Sequence, residues 1–122
     1  MKKNNFRTEK DSLGKVKVPK NALYGAQTQR AIDNFKISGI TFDPVFIQSL
    51  ASLKQACAIA NMKCKILTKT KANTIAGISK KISNDTLNYI DHFPVDIFQT
   101  GSGTSTNMNM NEVISEIAKR NL

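Results

Sequence analysis

The 122-residue sequence predicts a mainly α-helical fold. Three observations predict it. Phe46, Leu50, Leu53, Cys57 and Ala60 recur at steps of four, three, four and three, the period of one helical face. Ala72, Ile75, Ile78 and Ile82 trace a second, thinner stripe, and Met110, Val113, Ile114, Ile117 and Ala118 a third. Alternation of apolar and charged residues is confined to Lys15-Val16-Lys17-Val18. About four helices are therefore expected, behind a short β-hairpin or extended arm at the N-terminus.

Taken in order, residues 6–18 read as that hairpin or arm. Asp11-Ser12-Leu13-Gly14 is a turn cluster, and Pro19 stops the alternation. Residues 22–35 read as a short helix, weakened by Gly25. Asp43 suits a helix cap and Pro44 a first helical turn, so the next helix runs from there to about Lys63. Its Phe46-to-Ala60 stripe should face the core. A further helix spans 68–83, with Ala72, Ile75, Ile78 and Ile82 inward and Lys80 and Lys81 outward; Ser79 falls on the apolar face. Pro94 closes a loop, and Val95-Asp96-Ile97-Phe98 is a short extended entry to a glycine turn. The last helix should begin between Asn107 and Asn111 and is still amphipathic at Leu122. No glycine cap, proline or polar tail follows it, and the apolar faces exceed what so short a chain can bury on itself. The expectation is an N-terminal piece of a larger protein; a small helical domain that oligomerises is the alternative.

Charge and cysteine usage narrow the class. Eighteen Lys and Arg against nine Asp and Glu give a net charge of +9. The plain reading is a solvated lysine-rich surface; nucleic acid, an acidic membrane or an anionic substrate are the sharper ones. The lysines are dispersed and no aromatic residues alternate with them, which argues against a nucleic-acid module. Cys57 and Cys64 lie seven residues apart, with no second Cys/His pair to complete a zinc site. On one helix they are too far apart for a disulfide, so free, buried or half-buried thiols in a reducing compartment are expected. No apolar run approaches a membrane span, and Lys2-Lys3-Asn4-Asn5 lacks an apolar signal region. A cytoplasmic protein with no membrane association is the resulting expectation. His92, before Pro94, is expected to be exposed and without an assignable partner. Asp85, Asp91 and Asp96 do not have the spacing of a metal site.

The most informative stretch is Gln99-Thr100-Gly101-Ser102-Gly103-Thr104-Ser105-Thr106-Asn107-Met108-Asn109-Met110-Asn111-Glu112. Its first twelve residues carry no charge, and nearly all offer a hydrogen-bond donor. Two glycines let backbone N–H groups approach a ligand, and an apolar helical pattern follows at once. A donor-rich turn entering a helix N-terminus suits an anion, and no carboxylate intervenes before Glu112. The plainer reading is a polar turn capping the last helix, with Thr106 or Asn107 as cap. Thr106 stands where a dinucleotide fingerprint needs its third glycine. No Gly-Lys-Ser/Thr follows, and Thr100 occupies the first-glycine position of a nucleophile elbow.

These residues carry a family resemblance. Phe98 to Ile114 (FQTGSGTSTNMNMNEVI) resembles the substrate-binding loop of class II fumarases. Arg7-Thr8-Glu9-Lys10-Asp11-Ser12-Leu13-Gly14, Val18-Pro19, Tyr24-Gly25-Ala26-Gln27-Thr28-Gln29-Arg30 and Asn34-Phe35 resemble that family's N-terminus in the same order. The resemblance covers essentially the whole chain and identifies the fumarase/aspartase superfamily. Aspartate ammonia-lyases share Gly-Thr-Ser-Thr-Asn-Met-Asn but usually carry Gly-Ala-Gly where this chain has Gly101-Ser102-Gly103. Aspartase is the runner-up, and a basic non-catalytic binding protein is the alternative from another class.

The resemblance implies the N-terminal domain of the fumarase/aspartase fold over residues 1–122. It implies reversible anti addition of water to fumarate, giving (S)-malate, as in the tricarboxylic acid cycle, with no metal or organic cofactor. The partners implied are a small dicarboxylate and, for the complete enzyme, three further subunits of a homotetramer; nucleic acid and membrane are not among them. Ser102, Gly103 and Thr104 match the family's substrate-carboxylate positions, and fixed donors suit an intermediate whose carboxylate accumulates charge. The later signature Gly-Ser-Ser-x-Met-Pro-x-Lys-x-Asn, with its catalytic serine and substrate-binding lysine, is absent, as are the downstream Thr-His pair and the central bundle. No catalytic residue is therefore assigned, and the 122 residues alone are expected to be inactive.

Overall fold

A computed structural model describes residues 5–121; the Lys2-Lys3-Asn4 start and Leu122 lie outside the described residues. Of hairpin and arm, the hairpin forms. Strand β1 (Phe6–Asp11) pairs antiparallel with β2 (Gly14–Pro19), Phe6 opposite Pro19 and Asp11 opposite Gly14. The turn chemistry explains it: the Asp11 carboxylate accepts the Leu13 N–H at 2.9 Å, and Gly14 takes φ 118°, which a side chain would oppose. Val18 points into the core while Lys15 and Lys17 stay exposed.

Arg7 ties the hairpin to residues 19–24. Its guanidinium donates to the carbonyls of Pro19, Ala22 and Tyr24 at 2.9, 2.7 and 2.7 Å. Residues 22–25, expected to be helical, therefore run as an irregular segment, with the Ala22 and Tyr24 carbonyls turned to Arg7 while that of Gly25 accepts the Gln29 N–H at 3.1 Å. Helix α1 (Ala26–Asn34) starts only after Gly25.

Helix α2 (Pro44–Lys63) has the bounds read from sequence, and Asp43 accepts the Val45 N–H at 2.9 Å as its cap. Its buried face is another matter. Ile47, Ala51 and Ala58 are buried, whereas Phe46, Leu53, Cys57 and Ala60 are exposed and Leu50 half-buried. The stripe expected to face the core faces outward, and both thiols are free and exposed rather than buried. The physical reason is that α2 is apolar on more than one side. Helix α3 (Lys69–Asn84) packs against α2, where Gln48 Nε2 donates to the Ser83 carbonyl at 3.1 Å and the Ser52 and Ser83 hydroxyls meet at 2.8 Å. Helix α3 behaves as expected: Ala72, Ile78 and Ile82 are buried, Ile75 half-buried, and Lys80 and Lys81 exposed. Ser79 is buried, with no partner for its hydroxyl among the described residues.

A one-turn helix α4 (Thr86–Tyr89) and a 3-10 turn over Ile90–His92, neither anticipated, lead to Pro94. His92 is half-buried rather than exposed: its Nδ1 accepts the Leu23 N–H at 3.2 Å. Of the extended entry, Asp96 bridges Thr41 and the Ile97 N–H donates to the Ile40 carbonyl at 2.9 Å. The last helix, α5 (Thr104–Arg120), begins three residues before the earliest expected start. Its Met110, Val113, Ile114 and Ile117 meet Val18, Tyr24, Ile47, Ile78, Ile82 and Phe93 in one core. No described helix is long and apolar enough to cross a membrane.

Candidate functional site

The glycine turn enters α5 through two successive left-handed residues. Residues Gly101–Gly103 form a single 3-10 turn in which Ser102 has φ 62° and ψ 17° and Gly103 has φ 70°. The helix then starts at Thr104, with Gly103 at the cap position and no cap side chain of its own. Thr106 is the third helical residue, not the cap, and the side-chain carbonyl of Asn107 accepts from Lys54 Nζ. The low helix propensity of the Thr-Ser-Thr run hid this early start in the sequence.

Ser102 and Thr104 are exposed and Gly103 partly so. Gly103 N–H donates to the Thr100 carbonyl at 3.3 Å, long for such a bond. Thr104 Oγ1 donates to the Gly101 carbonyl at 3.1 Å. Thr104 also borders a cavity of about 210 Å³ beside Arg30, Asn34, Thr100, Ser105 and Met108. Arg30 is held there by Asp11, with Nε to Oδ2 at 2.8 Å and Nη2 to Oδ1 at 3.0 Å. That hydrogen-bonded pairing lowers the Asp11 pKa and raises that of Arg30.

Two further residues organise the turn and a third, Glu112, keeps its charge away from it; none is assigned a role from sequence. Asp96 is buried and accepts the N–H groups of Ser38, Gly39 and Phe98 at 2.7, 2.7 and 2.9 Å and the Ser38 hydroxyl at 2.9 Å. Burial would raise its pKa, but these donors outweigh it and hold the carboxyl at about 2. Gln99 caps α5 from outside: its Oε1 accepts the Thr106 N–H at 2.8 Å. Glu112 accepts the N–H groups of Gln27 and Thr28 at 3.1 and 2.7 Å and the Thr28 hydroxyl at 2.6 Å. The first carboxylate after the turn thus faces the N-terminus of α1. A Cβ on Gly25 would collide with it. Gln99 lies inside the quoted motif, so a capping amide was discoverable; the Gly25–Glu112 approach has no local signal. Among the described residues, no three His, Cys, Asp or Glu side chains gather as a metal site.

The sequence profile of the family described as Lyase matches residues 14–122. The chain belongs to this lyase family. Within it, the chain is 49% identical over 121 residues to the class II fumarate hydratase of Corynebacterium efficiens, covering 99% of this chain and 25% of that protein. It is 49% identical over 113 residues to the class II fumarate hydratase of Halobacterium salinarum, covering 93% and 24%. Among solved structures, the fumarate lyase:delta crystallin of Brucella melitensis superposes with a TM-score of 0.87 at 40% identity, over 96% of this chain and 25% of that one. The class II fumarase of Schistosoma mansoni gives 0.86 at 37%, over 93% and 24%. The lyase chain spans about a quarter of the length of the curated relatives it matches, and is homologous to their N-terminal quarter. The helical fold behind an N-terminal hairpin matches the N-terminal region of the fold of these lyases.

Proposed function

We propose that residues 1–122 are the N-terminal domain of a class II fumarate hydratase and supply the loop that holds one carboxylate of fumarate or malate. Ser102 offers a hydroxyl, the Gly103 N–H is held only at 3.3 Å by the Thr100 carbonyl, and the Thr104 hydroxyl turns from the Gly101 carbonyl to the ligand. The observation that carries the reading is the exposed, uncharged helix entry at residues 102–104, from which the nearest following carboxylate, Glu112, is turned away toward α1. An anion there meets donors and the positive end of a 17-residue helix. These groups bind and stabilise charge; acid and base come from elsewhere in the complete enzyme. In this reading the complete enzyme is a cytoplasmic homotetramer that interconverts fumarate and (S)-malate.

The test is a chimera in which this chain replaces the N-terminal quarter of the Corynebacterium efficiens enzyme. The chimera should consume fumarate, while the 122-residue chain alone should not. Ser102→Ala and Thr104→Ala should each raise the KM for fumarate about tenfold, the loss of one charge-assisted hydrogen bond. An unchanged KM in both rejects the site. Ammonia release from aspartate without malate turnover reassigns the activity to an aspartase.

A further inference from the structure

Ser102 adopts φ 62°, a conformation that opposes any residue with a Cβ. Such a residue persists only where its surroundings over-determine it. Two nested side-chain ties enclose it. The inner tie joins Thr100 Oγ1 to Ser105 Oγ at 3.0 Å. The outer tie joins Gln99 to Thr106. Gln99 Oε1 accepts the Thr106 N–H at 2.8 Å and its hydroxyl at 2.9 Å, and Gln99 Nε2 donates to Thr106 Oγ1 at 2.7 Å. Thr106 is buried, so this exchange is shielded from water. The same Nε2 donates to the Asp96 carbonyl at 2.9 Å, which anchors the outer tie to the preceding loop.

The manner of capping is informative. An ordinary helix cap is a short polar side chain at the cap position itself. Here that position is Gly103, and the capping oxygen comes from four residues earlier on a neutral amide. The N–H of Thr106 is satisfied without a side chain, or a negative charge, where an anion would sit.

We infer that Gln99 is a positioning residue: by clamping Thr106 it closes the outer tie and holds Ser102 left-handed, so that the backbone carrying the donors of residues 102–104 is already arranged when a carboxylate arrives. The inference rests on the carboxylate-binding reading of those residues. Pre-arrangement lowers the ordering cost of binding, and a grip used equally in ground and transition states shows in KM rather than kcat.

The experiment compares variants of the chimera in KM, kcat and melting temperature, with kinetics taken well below each melt. Gln99→Met, similar in length but without donor or acceptor, should raise the KM for fumarate about tenfold and change kcat by less than about threefold. Thr106→Val, isosteric and buried, should raise KM by a smaller factor, and Thr106→Ser should restore it. If Gln99→Met does not fold, the Thr106 pair decides. A lowered melting temperature with unchanged KM in Gln99→Met, or in Thr106→Val when that pair decides, makes the clamp merely structural and overturns the inference. Ser102→Ala separates the two claims. A raised KM there with none in Gln99→Met overturns only the positioning role; an unchanged KM in both Ser102→Ala and Thr104→Ala overturns the carboxylate site and this inference with it.

Discussion

The Glu112 carboxylate accepts both the N–H and the hydroxyl of Thr28, at 2.7 and 2.6 Å, although 84 residues separate them. With the Gln27 N–H it satisfies two orphan donors of α1 from a different helix, and the negative charge suits that helix end. Glu112→Ala should therefore destabilise the fold by about 2 kcal/mol, a lost cap plus a stranded buried donor. Gly25→Ala should cost about 1–3 kcal/mol through the collision with the carboxylate. Urea titration followed by circular dichroism measures both; a loss below about 0.5 kcal/mol in each would contradict the cap.

Stability should fall in two steps as the solution is acidified. His92 is lowered from its ordinary 6.5 chiefly by burial, with Arg120 adding to the effect and Asp91 opposing it. The fold holds the imidazole neutral, as acceptor of the Leu23 N–H. Its contribution is full above pH 6.5 and is lost as pH falls through the lower folded value. Asp96 contributes above its ordinary 3.8 and loses that contribution as pH falls to about 2. His92→Gln should remove the first step and leave the second. A wild-type stability that stays flat from about pH 7 to pH 5 would refute the first.

Ser102 and Gly103 should respond oppositely to substitution. Ser102→Gly relieves a left-handed Cβ and should stabilise the fold by about 0.5–1 kcal/mol, while removing a proposed ligand-binding hydroxyl. Gly103→Ala, at φ 70°, should destabilise by about 1–2 kcal/mol. Thermal melts of the two variants decide it; a destabilised Ser102→Gly would show that the serine side chain supports the turn.

The two faces of α2 can be told apart by one pair of variants. Ile47→Ala, at a fully buried site, should cost about 3 kcal/mol. Leu53→Gln, at a site 57% exposed, should stay within about 0.5 kcal/mol. Equal losses at both would mean that the outward stripe is covered in solution.

Local rules made much of this fold legible. The Asp43-Pro44 start of α2, the extent and inward face of α3, the apolar face of α5 and the Asp11–Gly14 turn all depend on neighbours within a few residues. The glycine turn was legible as a helix entry because glycine and donor-rich residues stand together in the chain. Periodicity misjudged α2, since a helix apolar on several sides does not say which side its neighbour takes. His92 was misjudged because its partner, Leu23, lies 69 residues away.

By itself, the order of residues determined α2, α3 and the body of α5, the hairpin turn and the uncharged bend at residues 101–104, since backbone conformation answers to capping, propensity and glycine over short range. Tertiary structure alone decided that Glu112 serves α1, that Arg7 unwinds residues 22–25 and that Asp96 gathers Ser38 and Gly39. Those contacts satisfy buried donors and acceptors between distant segments. Which segments meet is set by packing of the whole core, and no local pattern encodes it.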